Sequence, residues 1–253
     1  MSSVSKSSGQ NSFPKKRKTR KVAPRGQANL FGYHAVEEAW RNQRRKINAV
    51  FATEAAWQSF AEKIKDVRLD RPKPKIITRK ELDKILPNTV HQGIAIDAEP
   101  LPEVFLQDIL IQHRDDDNDV VLMLDQVTDP HNVGAILRSA CAFGVKAVIQ
   151  QRRHAPAAEG VLAKTASGAV EHVPLIEETN LADAVEELKN AGYKSFALDE
   201  RGEDIDKIIS RPAGKCVLIL GAECKGIRPK IRESCHRVVK IPTCGKIAAL
   251  NVS

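Results

Sequence analysis

From Asp119 onward, apolar runs of strand length alternate with patterns of helix length, and this alternation restricts the chain more than any other feature. Val120-Val121-Leu122-Met123-Leu124 is a continuous apolar run. A strand with one wet face would alternate polar and apolar residues, so an unbroken run belongs to a strand covered on both faces. A helical pattern over 132–143 follows, then a strand over Lys146-Ala147-Val148-Ile149, a helix over 180–191 and a strand over 193–198. Cys216-Val217-Leu218-Ile219-Leu220 and Val238-Val239-Lys240-Ile241 close the series. That rhythm predicts an α/β domain over 119–253 with a mostly parallel sheet covered by helices.

Residues 27–100 predict a smaller α+β unit. Leu30 to Trp40 reads as a turn entering an amphipathic helix with Val36, Ala39 and Trp40 on one face. Ile47 to Ala52 alternates as a strand, 54–65 has helical spacing, and Lys75 to Thr78 is a short strand. Lys80 to Leu86 is a helix stopped by Pro87, and Gly93 to Asp97 is a further strand. Residues 101–118, which contain Pro and end in Asp115-Asp116-Asp117-Asn118, read as a linker or surface loop.

The net charge of +8 is not a property of the predicted folded part. Eight of the 40 basic residues and none of the 32 acidic ones fall within residues 1–26, so the rest of the chain is balanced. With almost nothing to bury, that tail is expected to be disordered, and its run from Lys15 to Lys21 suits loose phosphate contacts or simple solvation. A nuclear or organellar targeting role is a weaker reading of the same letters. No apolar run is long enough to cross a bilayer and no secretory segment opens the chain. The five cysteines form no CxxC pair, which predicts reduced thiols in a cytoplasmic protein, with an organelle as the alternative, and no metal site.

Three segments carry chemistry. The first is Asp129-Pro130-His131-Asn132-Val133-Gly134-Ala135-Ile136-Leu137-Arg138-Ser139. Val133, Ile136, Leu137 and Ala140 form an apolar stripe, and Arg138 lies well off it, at about 100° of helix rotation per residue. Asn132 stands where an N-cap is expected, which is its purely structural reading. The second segment is Leu220-Gly221-Ala222-Glu223-Cys224-Lys225-Gly226. Gly221 ends a buried strand at a point where a side chain would block a ligand. Ile227-Arg228 follows Gly226, so the glycine pair is not a P-loop, and no G-x-G-x-x-G follows any strand. Glu223 could simply pair with Arg228 or Lys225. The third segment is Ile241-Pro242-Thr243-Cys244-Gly245 with Leu250-Asn251-Val252-Ser253.

In this order the three segments resemble the motifs of the SpoU (TrmH-like) family of RNA ribose 2′-O-methyltransferases, within the knotted SPOUT superfamily. The phrases Gly32-Tyr33-His34-Ala35-Val36 and His91-Gln92-Gly93-Ile94-Ala95 resemble the substrate-binding domain of RlmB-type members, which is similar to the ribosomal protein L30e fold. The resemblance implies a trefoil knot, a homodimer, S-adenosyl-L-methionine as cofactor and a guanosine of large-subunit (23S-type) rRNA as substrate. It also implies catalytic roles for Asn132, Arg138, Glu223 and Asn251, and cofactor contacts from Gly221, Ile241 and Leu250. A guanidinium stays protonated, so Arg138 is expected to stabilise a developing alkoxide and hold the adjacent phosphate rather than remove a proton. Arg41, Arg44, Arg45 and Lys46 at the end of the first helix, with Arg152 and Arg153, are the expected RNA contacts, although cations at a helix carboxyl terminus also have a structural reading.

Two residues depart from the family pattern: Ala249 stands where Ser is usual and Cys224 where Gly is usual. The chain also stops at Ser253, where the family's closing helix should begin, which suggests a truncated parent. A non-catalytic RNA-binding relative, or assembly factor, and a transfer-RNA methyltransferase are the alternative readings.

Overall fold

In a computed structural model the structure describes residues 27–153, 155–208, 214–223, 225–243 and 251–252. The basic tail, His154, Cys224, Cys244, Gly245, Ala249, Leu250 and Ser253 lie outside the described residues.

The first unit contains β1 (Leu30–Phe31), α1 (Tyr33–Arg41), β2 (Ile47–Ala52), α2 (Glu54–Lys63), β3 (Pro74–Ile76), α3 (Arg79–Ile85) and β4 (Ile94–Ala98). Its sheet runs β1-β4-β2-β3, antiparallel except between β2 and β3. The predicted face of α1 is buried: Val36 and Ala39 are inaccessible, and the Trp40 ring meets Trp57 and Phe60 edge-on. Thr53 and Thr78 cap α2 and α3 through their side chains, fixing where each helix starts.

The second unit contains α4 (Leu106–Gln112), β5 (Asp119–Asp125), α5 (Pro130–Ala142), β6 (Ala147–Gln151), α6 (Gly160–Thr165) and a 3₁₀ turn (Ala169–Glu171). It continues with β7 (Leu175–Glu178), α7 (Leu181–Asn190), β8 (Lys194–Asp204), α8 (Ile205–Ile208), β9 (Lys215–Gly221), α9 (Pro229–Ser234) and β10 (Arg237–Lys240). Six strands form one sheet in the order β10-β8-β9-β5-β6-β7, every pairing parallel. The unbroken apolar run of β5 lies at the centre, with β9 and β6 on its two sides, as a strand covered on both faces should.

One hydrophobic core joins the two units. It extends from Trp40, Val50 and Ile96 through Ala163 and Ala169 to Val133 and Leu137. A second core fills the opposite face of the large sheet beneath α4, α7 and α9.

Three expectations change. Asn132 is not the cap of α5. The helix starts at Pro130, and the Asp129 carboxylate accepts from the His131 N–H at 2.9 Å. Proline at the first helical position loses no hydrogen bond and presets φ, so the Asp-Pro pair starts the helix two residues before Asn132. The segment expected to be a linker contains α4, whose Leu106 and Ile109 are buried one turn apart in the second core. Strand β8 runs to Asp204 instead of stopping near 198, because Glu203 and Asp204 pair with Val239 and Lys240.

Candidate active site at the reversal of the parallel sheet

From β5 the chain winds outward through β6 and β7, then returns to place β9 on the other side of β5, with β8 and β10 beyond it. The carboxyl ends of β5 and β9 therefore flank the point where winding reverses, the place where open parallel sheets leave a ligand crevice. Asp125 and Gly221 are register partners there.

The crevice floor is tied down by a residue that the sequence motifs do not mark. Asp125 is fully buried. Its carboxylate accepts from Arg228 Nε and from the Arg228 main-chain N–H, each at 2.8 Å, and Arg228 Nη2 lies 2.8 Å away. A buried carboxylate is stable only with such partners, so Asp125 and Arg228 together pin the far end of the 222–228 loop. The near end folds back on itself: Gly226 N–H donates to the Ala222 carbonyl at 2.7 Å, and Ala222 N–H to the Asp125 carbonyl at 3.1 Å. Arg228, one structural partner considered for Glu223, is thus committed to Asp125.

Gly221 is required by this loop itself rather than by open ligand space. A Cβ there would stand 2.2 Å from the Gly226 carbonyl carbon and 2.5 Å from the Ile227 nitrogen. Both obstacles are main chain, so neither can swing away. Gly221→Ala should cost about 1–3 kcal/mol, the usual range for overpacking a close contact. Urea unfolding measures it, and a midpoint equal to the parent's would show that the loop gives way.

Glu223 reaches across the crevice to the first motif, where its Oε1 accepts from Asn132 Nδ2 at 2.8 Å. Residues 91 positions apart thus meet at the mouth of the site. Arg138 lies further along α5, exposed as its place off the apolar stripe predicts, and has no hydrogen-bond or ion-pair partner among the described residues. Among the described residues no hydrogen bond or ion pair joins it to the Asn132–Glu223 pair. Val252 packs on the core that holds Leu124, Val133 and Leu220, which brings its neighbour Asn251 back to the α5 side of the sheet. Ile241 follows β10 at the same edge and is 51% exposed. On the rim, Arg201 holds the Asp199 carboxyl at about 2, with Arg232 at 3.5 Å. Leu250 lies outside the described residues.

Helix α6 borders the first motif. A Cβ on Gly134 would stand 2.8 Å from the Leu162 carbonyl oxygen and from Thr165 Cβ, so α5 and α6 touch at that glycine. His131 Nδ1 and Thr165 Oγ1 lie 3.4 Å apart across the same contact.

The expected RNA-contact residues fare unequally. Arg45 is corrected outright. Only 3% exposed, it makes a two-pronged ion pair with buried Glu171 at 2.6 and 3.1 Å and gives a third hydrogen bond to the Glu99 carbonyl. Its guanidinium cannot reach solvent-borne RNA. Arg41 is held by Asp66 at 3.0 Å and by the Lys63 carbonyl, and the guanidinium keeps the Asp66 carboxyl below its ordinary range. Lys46 pairs with Glu99 at 2.8 Å, and Arg152 pairs with Glu103 and donates to the Glu177 carbonyl. Arg44 and Arg153 are exposed and have no ion-pair partner among the described residues. Arg44 and Arg152 line one cleft of about 550 Å³ between the two units.

Comparison with known proteins identifies the family. Residues 119–253 match the SpoU rRNA Methylase family, and residues 30–104 match the family described as RNA 2′-O ribose methyltransferase substrate binding. The chain is 34% identical over 228 residues to the 23S rRNA (guanosine-2′-O-)-methyltransferase RlmB of Pasteurella multocida, covering 89% of this chain and 92% of that one. The protein of the same name from Haemophilus ducreyi is 35% identical over 229 residues, covering 88% and 92%. Among solved structures, the SpoU methyltransferase AviRb of Streptomyces viridochromogenes in complex with AdoMet superposes with a TM-score of 0.69 at 20% identity, covering 88% of this chain and 84% of that one. A putative TrmH-family RNA methyltransferase from Porphyromonas gingivalis gives 0.66 at 21% identity, covering 89% and 84%. These last two likenesses are of fold. With a family match over more than half its length and relatives above 30% identity along nearly their whole chains, this chain belongs to the SpoU rRNA methylase family.

Proposed function

We infer that this chain methylates the ribose 2′-oxygen of a guanosine in large-subunit rRNA, using S-adenosyl-L-methionine. One observation carries the reading: identity of about a third with RlmB proteins continues across both matched segments, substrate-binding and methylase alike. Relatives in which only the methylase segment matched would favour no particular RNA.

The residues at the crevice fit the cofactor. With no side chain possible at Gly221, the 222–228 loop folds tightly against the end of β9, beside the strand ends where open parallel sheets leave a ligand crevice. Ile241 leaves an apolar side chain half exposed at the same edge. Main chain near Gly221, with Ile241 and Leu250, would hold the adenosine part. When bound, the cofactor supplies a methyl group on a positively charged sulfur.

The chain's own residues then have separable tasks. Asn132 and Glu223 hold each other at the mouth and so fix the loop beside which the ribose must lie. Arg138 contributes a fixed positive charge that stabilises the 2′-oxygen as its O–H proton leaves to solvent, and grips the neighbouring phosphate. Asn251 completes the polar side of the crevice. Alignment of oxygen and methyl accounts for much of the acceleration. In the same reading, residues 27–100 are the RNA platform, the protein works in the cytoplasm, and it pairs as a homodimer, which sedimentation would reveal as twice the chain mass.

The test is transfer of labelled methyl to unmodified large-subunit rRNA, with transfer RNA in parallel. Label at a guanosine ribose 2′-oxygen of rRNA alone is expected. Label only in transfer RNA reverses the substrate, and none in either favours a non-catalytic RNA binder.

A further inference from the structure

We propose that RNA flanking the target nucleotide crosses from the active-site crevice to the amino-terminal unit over a ledge formed by Lys164 and the Gly32–Tyr33 turn, with Lys164 gripping a phosphate. The inference rests on the RNA-methylase reading and adds the path that the strand follows.

The ledge is continuous with the crevice. Asn132 stands at the mouth, its neighbour His131 meets Thr165 at 3.4 Å, and Lys164 is the next residue of α6. The Lys164 stem then lies over the Gly32 turn of the other unit: a Cβ on Gly32 would stand 3.3 Å from Lys164 Cγ. Gln92 closes the turn beside it, its Oε1 accepting from the Tyr33 N–H at 2.8 Å. Gln92 has φ of 57° and Gly32 of 90°, both in the left-handed region. A non-glycine residue held there is uncommon and marks a turn fixed by its surroundings. Beyond it, the Lys63 ammonium sits 4.9 Å from the centre of the Tyr33 ring.

Lys164 is an uncompensated cation on this path, as Arg44 and Arg153 are elsewhere. Arg41, Arg45, Lys46 and Arg152 are all neutralised by carboxylates, and Lys63 has Glu37 at 3.7 Å. The Lys164 ammonium has no hydrogen-bond or ion-pair partner among the described residues, although the side-chain stem is half buried across the junction. A lysine that buries its stem and keeps its head in water is anchored but uncompensated, which suits a phosphate. An aromatic ring beside cations along a groove is the pattern that single-stranded RNA uses for stacking and backbone contact together.

Filter binding of unmodified large-subunit rRNA across a salt series tests the ledge without requiring catalysis. Lys164→Met keeps the buried stem and removes the charge. It should weaken binding about three- to tenfold and flatten the slope of log affinity against log salt by about 0.7, one single-strand phosphate contact. Lys207→Met, on α8 beside β8 and β10, is the control for loss of a surface charge and should do neither. If Lys164→Met behaves as Lys207→Met does, the ledge is wrong even where the parent methylates rRNA. If Lys164→Met weakens RNA binding but the parent transfers no methyl, the ledge stands and the enzymatic reading fails.

Discussion

Arg138→Ala is expected to lower the rate constant for methyl transfer by about 10²–10³-fold, the usual consequence of removing one preorganised group at a site of developing charge. RNA affinity should fall by no more than about three- to tenfold, the share of one phosphate contact among several. The substitution should also leave folding intact: Arg138 is exposed on α5, off the buried stripe of Val133, Ile136, Leu137 and Ala140, and has no partner among the described residues. Loss of activity could then not be blamed on an unfolded chain. Arg138→Lys separates charge from geometry. A lysine keeps the positive charge but not the planar fork that can hold an oxygen and a phosphate together, so it should recover only part of the lost rate. Single-turnover transfer to rRNA measures all three proteins. Turnover of Arg138→Ala at the parent rate would remove Arg138 from the chemistry.

The position of Arg138 was legible in the sequence because it depends on one helix and one period. The same is true of the sheet: the run from Val120 to Leu124 announces a strand covered on both faces, and the parallel order follows from the helices between strands. What was not legible depends on partners far along the chain. Strand β8 continues through Asp199-Glu200-Arg201-Gly202-Glu203-Asp204, a polar stretch without strand patterning. Gly202 lies so close to the Val239 main chain that a Cβ would come within 2.7 Å of three of its atoms. Asp125 looks like the polar end of a strand until Arg228 arrives from 103 residues away. Asn132 reads as a cap by its letters alone, but the Asp129-Pro130 pair starts the helix before it. The ledge has no signature in the sequence because Lys164, Gln92 and Gly32 come from three separate segments.

The cluster Arg41, Arg44, Arg45 and Lys46 shows the same limit most sharply, and it yields the second large effect. Four neighbouring cations are indistinguishable as letters, yet Arg45 alone is buried, with Glu171 recruited from 126 residues away. Glu171→Ala should destabilise the protein by about 3–5 kcal/mol, because it leaves a guanidinium that is only 3% exposed without its counter-charge. Asn42, which donates to the second Glu171 oxygen at 2.8 Å, loses its partner too. The double substitution Arg45→Met with Glu171→Leu should recover most of that loss, since apolar side chains of similar size need no counter-charge. Urea unfolding of the parent, Arg45→Met, Glu171→Leu and the double variant completes the cycle, with Glu171→Ala measured beside them. If Glu171→Ala unfolds within about 1 kcal/mol of the parent, water reaches the pair and the burial argument fails. The location of the pair gives the result a functional edge. Glu171 sits on the 3₁₀ turn that follows α6, and Arg45 follows α1, so the pair bolts the amino-terminal unit to the layer that carries His131, Thr165 and Lys164. Under conditions where Glu171→Ala remains folded, a loosened junction should raise KM for rRNA while the single-turnover rate at saturating RNA stays near that of the parent. A rate that falls with KM unchanged would mean that the pair shapes the crevice rather than the approach to it.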